Sequence, residues 1–139
     1  MAKTVLIDSG AIVAALRKRD EHHEWARAQL DALTQPCLTC EAVISESFFL
    51  LKSAVVGKQS LCSLLERGII AVGFSFEMHA DKTMHLLRRY HDLPMSFADA
   101  CMVRMAEMHK QAVVFTTDSD FEIYRKNGGQ AIPLLKPWR

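Results

Sequence analysis

Four acidic residues stand among neighbours that do not suit a solvated charge. Asp8 directly follows Val5-Leu6-Ile7, and Asp118 follows Val113-Val114-Phe115-Thr116-Thr117, so each sits where a short apolar run ends. Glu46 lies in a stretch of helical period, with Val43, Phe49 and Leu50 three or four residues away. Asp99 has the same difficulty, since Met102, Val103 and Ala106 share its stripe. Burying even a neutral polar group without a partner costs roughly 2–7 kcal/mol, and no basic residue lies one helical turn from either acid. Buried carboxylates without a local base have the chemistry of a metal site, where a divalent cation makes their mutual repulsion tolerable.

Each acid also has a purely structural reading. Asp8 and Asp118 are N-cap residues if helices follow them, Ser96-x-x-Asp99 has capping-box spacing, and Glu46 could pair with Lys52 or a distant Arg. Capping and coordination are compatible, because an acid fixed at a helix start is already oriented. The functional reading therefore rests on all four converging.

Convergence is a matter for the elements that carry these residues. Apolar runs bounded by turn signals alternate with stretches of helical period. Strands are expected at 4–7, 36–39, 69–72, 113–116 and 130–132, and helices at 9–17, 22–33, 41–53, 58–66, 76–90 and 97–110, with a short one at 119–126. Short strands without alternation belong to a sheet covered by helices on both faces. The class is therefore α/β, a central parallel sheet of four to five strands in a single domain over residues 1–139. In such sheets ligands bind beyond the carboxyl ends of the strands, where Asp8 and Asp118 fall. Gly128-Gly129 is expected to end the last helix and Pro133 the last strand, leaving 134–139 on the surface.

Composition narrows the classes further. Of the 139 residues, 50% are hydrophobic and 24% charged, a globular balance that excludes a disordered or collagen-like chain. A net charge of +1 means that any anionic partner is met by local cations rather than a global field. No apolar run approaches the roughly 20 residues of a membrane span, and Asp8 interrupts the first apolar stretch before it could serve as a signal peptide. Cys37, Cys40, Cys62 and Cys101 are few and sit among apolar residues, which suits a reducing cytoplasm.

The motifs Val5-Leu6-Ile7-Asp8-Ser9-Gly10-Ala11, Val43-Ile44-Ser45-Glu46-Ser47-Phe48, Ser96-Phe97-Ala98-Asp99-Ala100 and Thr116-Thr117-Asp118-Ser119-Asp120-Phe121 together resemble the PIN domain. They look most like the small ribonucleases of the VapC type, the toxins of toxin–antitoxin pairs, and the resemblance runs over essentially the whole chain. It implies a metal-dependent endoribonuclease with Asp8, Glu46, Asp99 and Asp118 as ligands of Mg²⁺ or Mn²⁺, Thr116 as a hydroxyl beside the last acid, and Asp120 as an auxiliary acid. It also implies a cognate antitoxin, a homodimer, and hydrolysis that leaves a 5′-phosphate and a 3′-hydroxyl. Ser9-Gly10 departs from the residues frequent after the first acid in that family.

Candidate phosphate contacts are Arg17, Lys18 and Arg19 after the first helix, and Lys52 near the end of the third, with Lys58 beyond it and Arg88-Arg89 near the fifth as further cations. Single-stranded or looped RNA is the expected target, because its bases are accessible. Two other classes compete. Cys37-x-x-Cys40 near a strand–helix junction has the spacing of a thiol redox site, although Cys37 belongs to the strand and no Trp, Gly or Pro accompanies it. A PIN fold that has lost catalysis and serves as a binding module is the other, against which the presence of all four acids argues.

Overall fold

The computed structural model describes residues 3–139. In chain order the elements are β1 (Thr4–Ile7), α1 (Ser9–Leu16), α2 (His23–Asp31), β2 (Cys37–Thr39), α3 (Glu41–Leu50), α4 (Val55–Glu66), β3 (Ile70–Val72), α5 (Phe76–Arg89), α6 (Phe97–Met108) and β4 (Ala112–Phe115). A 3-10 turn (Ser119–Glu122) and the short strands β5 (Arg125–Lys126), β6 (Gln130–Ala131) and β7 (Leu134–Leu135) follow.

Five strands form one sheet in the order β3-β2-β1-β4-β7, and every pair in it is parallel. From β1 the chain moves outward through β2 to β3, then crosses back to β4 on the other side of β1. Right-handed crossovers require that reversal to change faces. Helices α1 to α4 accordingly pack together around α1, and α5 packs against α6. The crevice between β1 and β4 is thus the topological switch point, and the acids that follow those two strands stand at its mouth. The expected α/β class with helices on both faces of a parallel sheet holds.

The core is built from the strand interiors and one face of each central helix. Leu6, Ile7, Ile12, Met102, Met105, Val114 and Phe115 are buried there, with Phe121 and Tyr124 closing it beneath the 3-10 turn. Helix α6 begins in a full capping box, in which Ser96 and Asp99 satisfy each other's backbone N–H groups.

The last quarter of the chain differs from the sequence reading. The short helix expected over 119–126 is only the 3-10 turn, because Arg125–Lys126 turns into an antiparallel pair with Gln130–Ala131. The expected strand at 130–132 is that hairpin arm, and the fifth parallel strand is β7, beyond Pro133. Pro133 lacks an N–H but offers its carbonyl to Val114, so it leads into the strand instead of ending it.

Candidate active site

Asp8 is the N-cap of α1, and local geometry rather than solvent satisfies it. Its Oδ1 accepts from the Ser9 backbone N–H at 2.8 Å, and its Oδ2 accepts from the Thr116 hydroxyl at 2.9 Å. The side chain belongs to a residue only 3% exposed. Burial pushes its carboxyl up to about 7, against the opposing bond from Thr116 and with help from the charges of Asp99 and Asp118.

Thr116, at the end of β4, is fully buried and ties the first acid to the last. While its hydroxyl donates to Asp8, the same oxygen accepts the Asp118 backbone N–H at 2.9 Å. Asp118 in turn caps the 3-10 turn, its Oδ1 accepting from the Asp120 N–H at 2.9 Å. The Asp120 carboxyl is raised by desolvation and by the charge of Asp118, so the two acids share one field.

Asp99 approaches from the opposite layer. Its Oδ2 accepts from the Ser96 backbone N–H at 3.3 Å and from the Tyr124 hydroxyl at 3.0 Å. Desolvation raises its carboxyl, bonds from Tyr124 and Ser96 resist, and the charge of Asp118 adds to the rise. Glu46 joins the group through Ser9, whose hydroxyl donates to its Oε1. None of the four acids has an ion-pair partner among the described residues.

Glu46 is only half-buried, and here the sequence reading needs correction. The face of α3 that packs inward carries Val43 and Ser47, and Leu51 continues it, whereas Phe49 is 65% and Leu50 41% exposed. Of the apolar neighbours of Glu46, Val43 therefore faces the core, whereas Phe49 and Leu50 face outward. The alternative partner of Glu46, Lys52, lies over the Phe49 ring instead.

The donor set is all oxygen, which suits a hard divalent cation. No group of three or more His, Cys, Asp or Glu among the described residues is gathered closely enough to hold a metal ion. Asp8 has both oxygens engaged, one by the Ser9 N–H and one by the Thr116 hydroxyl. Asp99, Asp118 and Glu46 each keep a second oxygen outside those bonds. Such a set fits a cation bound through few carboxylates and several waters, as Mg²⁺ commonly is. Burial together with the neighbouring carboxylate charges raises the carboxyls of Asp8 and Asp99, and that observation makes the fit physical.

Two residues of the site escaped the sequence reading. Tyr124 is fully buried yet polar, and its place just after the 3-10 turn was the available signal, since a buried phenol seeks an acceptor. Ser9 holds Glu46 although it looked like a mere departure from the family pattern. At its neighbour Gly10, a Cβ would stand 2.5 Å from the Thr117 hydroxyl, so a larger residue there would require that hydroxyl to turn aside.

The basic residues divide. Helix α1 starts at the acids and runs away from them, so Arg17, Lys18 and Arg19 lie beyond its far end, roughly 12 Å along the axis. Lys52 follows the helix that carries Glu46. The expected thiol pair is not formed: Cys37 donates to the Ile69 carbonyl, while Cys40 neighbours Cys101. The described cysteines are free thiols.

A family model described as PIN domain matches residues 5–127. Among solved structures, the chain is similar to Mycobacterium tuberculosis VapC20, described as a sarcin-ricin loop cleaving toxin. The two share 16% identity over 86% of this chain and 94% of that one, with a TM-score of 0.76, a likeness of fold. No curated protein matches the chain by sequence.

Proposed function

The chain belongs to the PIN domain family, and on that premise we propose that it is a single-domain, divalent-metal-dependent endoribonuclease over residues 1–139, the toxin of a toxin–antitoxin pair. The observation that carries this reading is the linked set Asp8–Thr116–Asp118, joined by Asp99 across the crevice and left without a counter-cation. That VapC20 cleaves the sarcin-ricin loop supports RNA as the substrate class, at the level of a shared fold.

In this mechanism Asp8, Asp99 and Asp118 would hold Mg²⁺ or Mn²⁺. When bound, the cation supplies neutralisation of charge on the attacked phosphate and a water of lowered pKa. Thr116 fixes the spacing between Asp8 and Asp118. Glu46, with Oε1 occupied by Ser9, keeps Oε2 as a ligand or to take a proton from the attacking water. In-line attack of a water on phosphorus, its proton passing to Glu46, would break the P–O3′ bond; O3′ would take a proton from solvent, leaving a 5′-phosphate and a 3′-hydroxyl.

The expected partners are the RNA substrate, a cognate antitoxin that covers the acidic mouth, and a second copy of the chain. No helix of the described residues is long and apolar enough to cross a membrane; the cytoplasm is the compartment that the toxin reading calls for.

The test is cleavage of a single-stranded oligoribonucleotide by the purified chain with Mg²⁺ or Mn²⁺. Asp8→Asn and Asp99→Asn should each lower the rate by at least about 100-fold, and chelation should abolish it. Full metal-dependent cleavage by either variant would defeat the assignment. An inert binding module would instead show no specific Mn²⁺ binding.

A further inference from the structure

Beyond the half-buried Glu46, the surface of α3 turns out to solvent. Phe49, three residues on, is 65% exposed, and helical geometry sets it about one turn, roughly 5 Å, beyond Glu46 on the same side. Lys52 holds its ammonium 4.5 Å from the centre of the Phe49 ring. That ammonium makes no ion pair among the described residues, and the residue is exposed. The Phe49 ring thus offers an open apolar face beside the candidate site, and the ammonium at its side favours an anionic occupant.

An unpaired nucleotide has both parts, a flat base for the ring and a phosphate for the ammonium. A second open aromatic pair belongs to α6, where Phe97 precedes Asp99 by two residues and is 43% exposed. It meets Phe76, 39% exposed, edge to face with ring centroids 5.2 Å apart. Aromatic surface therefore adjoins the site on two of the helices that supply its acids.

We propose, resting on the ribonuclease reading above, that Phe49 and Lys52 form a nucleotide subsite next to the carboxylates. The base of an unpaired RNA residue stacks on Phe49, and its phosphate meets Lys52. The subsite positions a strand and does not read its sequence, because every base has a stacking face and phosphates carry no sequence.

The rival cover is protein, since Leu50, Val55 and Val56 nearby are also exposed. The two differ in what they ask of residue 49. A protein face needs an apolar side chain, whereas a stack needs a ring.

The experiment measures cleavage of a short single-stranded oligoribonucleotide in Mn²⁺, and binding of the same labelled strand to the Asp99→Asn protein by fluorescence anisotropy. Phe49→Ala and Phe49→Leu should each raise KM and weaken binding about tenfold, with the change in KM rather than kcat, and Phe49→Tyr should restore both. Lys52→Ala should reduce the slope of log affinity against log salt by about 0.7. Sedimentation should show the same mass for all of these variants. Wild-type behaviour of Phe49→Leu, or a halved mass for Phe49→Ala, overturns the subsite in favour of a protein interface. Binding that depends on Phe49 without any metal-dependent cleavage leaves the subsite standing and removes the hydrolytic reading. Cleavage with KM indifferent to Phe49 does the reverse, and a chain that neither binds nor cleaves loses both.

Discussion

Asp8 is under opposing demands, held by two hydrogen bonds and pressed by burial and by other carboxylates. Its carboxyl rises from 3.8 to about 7 on folding, so the folded chain holds that proton more tightly than the unfolded one. The resulting stability is whole below about pH 4 and is lost as pH climbs to about 7. Without metal, the melting temperature should fall across that window, and Asp8→Asn should flatten the fall. A divalent cation prefers the ionised form, so added Mn²⁺ should raise the melting temperature more at about pH 8 than at about pH 5. Differential scanning calorimetry decides this: an equal increment at both pH values would show that Asp8 does not bind the ion. At this scale the sequence was informative about acids and silent about their partners. Asp8 and Asp118 were legible because each ends an apolar run. The hydroxyls of Ser9 and Tyr124 were not, because their contacts cross 37 and 25 residues of chain.

The starts of α1, α6 and the 3-10 turn carry three of the four candidate acids, and each start is capped with the help of the acid it presents. Tyr124 fastens the segment after the 3-10 turn to the first turn of α6, with its ring edge to face against Phe121 and Tyr90. Tyr124→Phe keeps that packing and removes only the bond to Asp99. It should lower stability by about 1–3 kcal/mol and weaken Mn²⁺ binding about tenfold or more, as loss of an outer partner of a ligand usually does. Isothermal titration measures the second effect, and an unchanged affinity would reduce Tyr124 to packing. The helices and first four strands were readable from period and turn signals. Residues 119–135 were not, because a two-residue strand has no period and only its pairing partner defines it.

At the scale of the molecule, the reversal of strand order at β1 explains why acids distant in sequence share one crevice. This much of the site was legible before any coordinates, since a parallel sheet ends its strands on one edge. Which helix faces remain open was not, because that depends on packing between layers. Met78 is 81% exposed on α5, whereas Met84 and Met95 are half-buried, so only the first of these has much to offer a second copy. The chain should sediment at twice its 15.7 kDa, and Met78→Glu should shift it toward the single-chain mass while the circular dichroism stays the same. An unaltered dimer would place the contact elsewhere.

The side chains that start these helices are also those that would grip the ion, so architecture and reactivity are inscribed in the same few atoms. Replacing a carboxylate by its amide keeps an acceptor for the cap and relieves crowding of charge. An inert chain would then lose little sturdiness, and without metal it could gain some. A single-base change in a codon is enough for that exit. Wherever the activity harms the cell that makes it, folded but harmless copies should be the easiest descendants to find.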